Sequence, residues 1–138
     1  MIALADLVFR WPRQTAPCLD IPAFEITTGE RVFLHGPSGG GKSTLLAVLG
    51  GVAIPERGRV ELMGSNIVAL SGHGRDTFRA DHIGFIFQQF NLLPWLSAMD
   101  NVLLPCTFSA RRRKRVADPL AAASQLLERL DLAPDLWH

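Results

Sequence analysis

Cysteine is scarce: Cys18 and Cys106 are the only two, far apart, with no C-x-x-C spacing. That pattern fits a reducing cytosol rather than a disulfide framework. The four histidines are scattered without metal-ligand spacing, so they read as structural or solvated. No stretch approaches the roughly 18 consecutive apolar residues that a membrane-spanning helix needs. The first residues, Met1-Ile2-Ala3-Leu4-Ala5-Asp6, have no basic n-region and are not read as a secretory signal. There is no internal repeat and no low-complexity stretch. The formal net charge of +1 argues neither for nor against a polyanionic partner. What remains is a chain of 138 residues, 48% hydrophobic, which is enough for one domain with a sizeable core and too apolar to be disordered by composition.

Against these absences one motif stands out. Gly36-Pro37-Ser38-Gly39-Gly40-Gly41-Lys42-Ser43-Thr44 reads G-x-x-x-x-G-K-S, a complete phosphate-binding loop, or P-loop. A triphosphate is a compact polyanion that needs many donors converging on a small space. Glycines let the backbone curl so that N–H groups point inward. Lys42 adds a mobile positive charge for the β- and γ-phosphate oxygens, and the Ser43 hydroxyl suits Mg²⁺. A helix starting near Lys42 aims its positive dipole end at the same anion. The setting agrees: Arg31–His35 reads as a short buried strand, Ser43–Leu49 as a helix, and Gly50-Gly51 as its stop.

Elsewhere the pattern predicts strands at Ile2–Arg10, Ile21–Thr27, Gly58–Gly64 and His82–Phe87. Residues 11–17 read as a loop broken by two prolines, and 66–74 as irregular. Short helices are expected at Asp76–Asp81 and Ser97–Leu104, the latter with Ser97 as N-cap and Asp100 at N3. Asp118–Leu130 places Leu120, Ala123, Leu126, Leu127 and Leu130 at helical spacing behind Pro119. Arg111-Arg112-Arg113-Lys114-Arg115 is the one charge run. It reads as a solvated face at a helix start, with a patch facing nucleic acid or phospholipid as the other reading. Few aromatics interleave with it, so base stacking is not suggested, and no nucleic-acid partner is expected. Trp11, from the residues alone, is either a half-buried packing aromatic or a flat surface for a purine.

Taken in order, these motifs resemble the first part of an ABC transporter ATPase. Trp11-Pro12 stands where that family has an aromatic that stacks on adenine. The P-loop follows. Ile83-Gly84-Phe85-Ile86-Phe87-Gln88-Gln89-Phe90-Asn91-Leu92-Leu93-Pro94 resembles the Q-loop region, and Met99-Asp100-Asn101-Val102 the segment after it. The resemblance covers nearly the whole chain. It implies an α/β fold: a P-loop NTPase core, an N-terminal antiparallel β subdomain and the start of an α-helical subdomain. Residues 1–94 would be core and β subdomain, and 95–138 the beginning of the helical part.

The resemblance also implies site residues. Trp11, Gly36, Pro37, Ser38, Gly39, Gly40, Gly41, Lys42, Ser43 and Thr44 would bind ATP. Lys42 and Gln88 would act in catalysis, and Ser43 and Gln88 would hold Mg²⁺. The partners would be a transmembrane permease and a second ATPase domain in a head-to-tail dimer, at the inner face of the cell membrane. Arg79, Gly84-Phe85, Phe87-Gln88, Asn91–Pro94 and Asn101–Pro105 lean toward the lipoprotein-release and macrolide-export group. Gly40 departs from the Ser of many members, and Asp100 from the usual Glu. Polar amino-acid importers share part of the Phe87–Leu92 pattern.

The sequence contains no Leu-Ser-Gly-Gly-Gln signature, no Walker B strand ending in Asp-Glu and no switch histidine after it. A full domain of this type runs to roughly 220 residues. The expectation is an N-terminal fragment that keeps the phosphate cradle and lacks the group that orients the attacking water. The rival readings are a P-loop module that binds without hydrolysing, an importer ATPase, and a nucleotide kinase or GTPase. The N-K-x-D motif of a GTPase is absent. Arg111–Arg115 is a thin candidate for a kinase lid.

Overall fold

The apolar run Ile2–Phe9, interrupted only by Asp6, forms the strand on which the first half of the molecule is built. The structure, a computed structural model, describes residues 1–89 and 91–137. Phe90 of the Q-loop-like stretch and His138 at the end of the 95–138 segment lie outside the described residues. The chain divides into two units, Met1–Asp76 and Thr77–His138.

In the first unit, β1 (Ile2–Phe9) lies between β2 (Leu19–Ile26) and β3 (Arg57–Leu62), and the two-residue β4 (Ser65–Asn66) completes an antiparallel sheet of order β2-β1-β3-β4. β1 and β2 form a hairpin in register from Ile2↔Ile26 to Phe9↔Leu19. Leu4, Leu7, Phe9, Leu19, Val60 and Leu62 are buried from these strands. The β1–β3 ladder shifts register between Ala5 and Val8. There Gly58, at φ +102°, lies so close to β1 that a Cβ would fall 2.6 Å from the Asp6 carbonyl oxygen, so only glycine fits. α1 (Lys42–Leu49) follows the P-loop and buries Leu45 and Val48.

One expectation fails here. Arg31–His35 is not a strand: it has no ladder partner, and Val32, Phe33 and Leu34 are exposed. The apolar run fits a buried parallel strand, but a strand exists only with a neighbour to take its N–H and C=O groups. Among the described residues the sheet is wholly antiparallel, and this segment pairs with none of its strands.

α2 (Gly72–His82) is longer than the expected Asp76–Asp81. Gly72 and Gly74 mask it in the sequence, but the Ser71 hydroxyl accepts the Gly74 N–H at 3.1 Å and caps its start. The second unit continues with α3 (Ala98–Phe108), α4 (Ala110–Arg115) and α5 (Pro119–Arg129). Ser97 caps α3 by accepting the Asp100 N–H at 3.0 Å, and its own hydroxyl donates to Asp100 Oδ2 at 2.7 Å. α3 runs past the expected Leu104 and carries Pro105 inside it. Asp118 caps α5 through the Ala121 N–H.

Met99, Ala123, Leu127 and Trp137 form the core of this unit. Leu120, Leu126 and Leu130 share the helical spacing but stay exposed. The expected strand His82–Phe87 is absent as well. His82 ends α2, and residues 83–87 have no regular structure, with Phe85, Ile86 and Phe87 exposed. The reason is the same: no described strand pairs with it.

Candidate nucleotide-binding site

The β1–β2 hairpin and the N-terminus of α1 build one cavity of about 460 Å³. Its lining comprises Trp11, Gln14 and Cys18 from the hairpin loop and the run Ser38–Thr44 from the P-loop. Each part has a local cause. The Cys18 N–H donates to the Phe9 carbonyl at 2.8 Å and closes the base of the hairpin. The loop 10–18 thus projects from the end of the sheet. Trp11 packs edge-on against the buried Phe9, with ring centroids 4.9 Å apart and planes at 82°. Its Nε1–H donates to Thr44 Oγ1 at 3.2 Å, while the ring stays 42% exposed.

On the other side, Gly41 begins α1 in the left-handed conformation, with φ 81° and ψ 1°. No side chain caps this helix, so its first-turn N–H groups remain available to an anion. Lys42 Nζ donates to the carbonyl oxygens of Gly36 and Pro37, at 2.8 and 2.7 Å. It is the one charged side chain in the lining. The Gly40 N–H donates to the Pro37 carbonyl at 3.2 Å and tightens the loop. A Cβ on Gly40 would sit 3.1 Å from that same oxygen, so the serine of many relatives would require the loop to give slightly.

Of the expected site residues, Trp11, Ser38, Gly39, Gly40, Gly41, Lys42, Ser43 and Thr44 line this cavity. Gly36 and Pro37 do not line it and contribute through their carbonyls to Lys42. Gln88 belongs to the second unit, at an exposed bend. Gln14 and Cys18 line the cavity without having been singled out. Nothing in their spacing marks them. Their place follows from the hairpin register, which sets Leu19 opposite Phe9 and so brings Cys18 beside the end of β1. Among the described residues no group of three His, Cys, Asp or Glu side chains could hold a metal, and no helix is long and apolar enough to cross a membrane.

Comparison with known proteins agrees with this geometry. A family model described as ABC transporter matches residues 19–136. The macrolide export ATP-binding/permease protein MacB of Rhodopirellula baltica is 40% identical over 122 residues, 88% of this chain and 18% of that protein. The lipoprotein-releasing system ATP-binding protein LolD of Xanthomonas oryzae pv. oryzae is 39% identical over 126 residues, 91% of this chain and 50% of that protein. Among solved structures, the ATP-binding cassette MJ0796, in a dimeric post-hydrolysis state bound to ADP and Pi, superposes with a TM-score of 0.82 at 31% identity. That match covers 99% of this chain and 60% of the cassette. The chain therefore spans about half the length of the LolD relative and less than two thirds of the solved cassette.

Proposed function

The chain belongs to the ABC transporter family, and on that premise we propose that it is the nucleotide-holding part of an ATPase subunit that couples ATP binding and hydrolysis to a membrane permease. The observation that carries this reading is the single cavity shared by Trp11 and the P-loop residues Ser38–Thr44. An aromatic face and an anion cradle on one cavity suit a molecule with a flat base at one end and phosphates at the other. Trp11 offers its face to adenine and reads no edge of the base, so GTP competes.

Lys42 exchanges the Gly36 and Pro37 carbonyls for β- and γ-phosphate oxygens, a gain because charge-assisted bonds to anions are the stronger kind. Mg²⁺ fits the donor set. It prefers oxygen, keeps waters, and takes few protein ligands beside phosphate. Ser43 lines the cavity, and its hydroxyl would supply one such ligand. When bound, the ion neutralises charge on the terminal phosphates.

Among the described residues, the lining contains no carboxylate. Positioning of the attacking water is a requirement of phosphoryl transfer, so these 138 residues hold the nucleotide without turning it over. In the complete protein they form the N-terminal part of one ATPase domain, with 1–94 as core and β subdomain and 95–138 as the start of the helical part. That protein works as a head-to-tail dimer on the inner face of the membrane, through its permease. The macrolide-export and lipoprotein-releasing relatives favour an export or lipoprotein-release role.

Calorimetry with Mg-ATP tests the site. Lys42→Ala should weaken binding by roughly 1.5–3 kcal/mol through loss of a charge-assisted contact. Equal affinity of the two proteins would overturn the assignment. Steady phosphate release by the 138-residue chain, abolished by Lys42→Ala, would show that a water-positioning group does lie within it.

A further inference from the structure

Thr44 is only 7% exposed, yet two polar groups from the hairpin loop meet at its hydroxyl. Its Oγ1 accepts the indole N–H of Trp11 at 3.2 Å and the thiol of Cys18 at 3.4 Å. A hydroxyl has two acceptor sites and one proton to give. Both acceptor sites are filled from the hairpin loop. Trp11 and Cys18 sit near opposite ends of that loop, and Thr44 sits on the first turn of α1. The indole is thus held at two points: by the Phe9 ring and by the Thr44 hydroxyl.

We propose that Thr44, with Cys18 as second donor, is a positioning residue for Trp11: a hydrogen-bonded latch that fixes the indole relative to the P-loop helix and so couples recognition of the base to recognition of the phosphates. The proposal rests on Trp11 as the base platform and the P-loop as the phosphate site. Its specific content is that the two halves of the site are not independent. The helix turn that receives the phosphates also sets the angle of the surface that receives the base. A shift of α1 on phosphate binding is carried to the indole through one hydroxyl.

Two measurements on the 138-residue chain test this. In the first, without nucleotide, the Trp11 indole ¹⁵N–¹H resonance is assigned by its loss in Trp11→Phe. Thr44→Val, similar in size but without the hydroxyl, should shift that resonance and speed its solvent exchange. Thr44→Ser should restore both. An unmoved resonance in Thr44→Val would overturn the latch.

The second is a double-mutant cycle of Thr44→Val with Trp11→Phe, reading Kd for Mg-ATP and for inorganic triphosphate. Contacting residues couple and independent ones add. For Mg-ATP the two losses should fail to add by about three- to tenfold. For inorganic triphosphate, which offers no base, the same cycle should depart less from additivity. Should Thr44→Val not fold, Thr44→Ala removes the same hydroxyl and gives the same cycle, and Cys18→Ala tests the second donor from the hairpin side. Strict additivity with intact binding of both probes would refute the coupling alone. Failure of the parent chain to bind either probe would bring down the underlying site assignment, and the latch with it.

Discussion

At the scale of single residues, Gly41 shows how tightly the cradle is specified. It adopts φ +81°, and a Cβ there would lie 2.9 Å from Leu19 Cδ2 and 3.0 Å from the Cys18 carbonyl oxygen. Gly41→Ala therefore combines left-handed backbone strain with overpacking. It should destabilise the first unit by about 1–3 kcal/mol, measurable by urea unfolding, and weaken Mg-ATP binding as well. A fully stable Gly41→Ala would mean that the loop is looser than this geometry. Glu30, which opens the P-loop segment, behaves differently. Its carboxylate accepts the Thr27 N–H at 2.8 Å and the Thr27 hydroxyl at 3.0 Å. The backbone bond first, and the hydroxyl second, hold its pKa below the ordinary glutamate range. The folded value lies below the unfolded one, so this turn's contribution is complete above the unfolded pKa and fades as pH falls through the folded value. An NMR titration of the Glu30 side chain should show a lower midpoint in the folded chain than in urea. An identical midpoint would exclude the turn.

Between elements, the basic run has a role that charge alone does not reveal. Arg112 on α4 is half-buried and donates from Nε to the Ala80 carbonyl at 2.6 Å and from a terminal nitrogen to the Ile83 carbonyl at 2.8 Å. It satisfies the acceptors that α2 leaves open at its end. Ser109, fully buried, accepts the Arg112 N–H at 2.9 Å and donates to Asp81 Oδ1 at 2.5 Å. Arg113, Lys114 and Arg115 stay exposed, as a solvated face would. Arg112→Ala should cost the second unit about 1.5–3 kcal/mol and raise hydrogen exchange over residues 80–85. Arg112→Lys should not rescue it, because a single ammonium cannot span both carbonyls as a guanidinium does. Lys114→Ala should stay within about 0.5 kcal/mol of the parent.

This contrast marks what the sequence could disclose. The P-loop, the cap at Ser97, the helix behind Pro119 and the hairpin strands were legible because their causes lie within a few residues. The Arg112 clamp and the cavity positions of Gln14 and Cys18 were not, because each depends on register or on contacts between elements. The strands expected at Arg31–His35 and His82–Phe87 failed for a related reason. Hydrophobic composition proposes a strand, but only a partner makes one.

For the molecule as a whole, those two stretches leave apolar surface in water: Phe33 is 86% exposed and Ile86 fully so. Exposed apolar segments with unpaired backbone invite association between chains. The isolated chain should bind a hydrophobic dye and aggregate as concentration rises. Phe33→Lys and Ile86→Lys should suppress both while changing stability by no more than about 0.5 kcal/mol. A loss well above that would mean that these side chains are covered in solution.

The order of strands in the sheet carries a consequence in time. β1 and β2 pair with each other and are finished by residue 26, before any of the P-loop exists in a growing polypeptide. The loop and α1 are made next, and β3 then returns to the free side of β1. Synthesis thus lays down a scaffold, threads the phosphate cradle out from it, and closes the cradle with the strand that follows. The β1–β3 seam includes Gly58, where the backbones come closest. A chain released from the ribosome before residue 62 would hold the cradle only through the contacts of Gly41 and Thr44 with the hairpin, without the strand on the other side of β1.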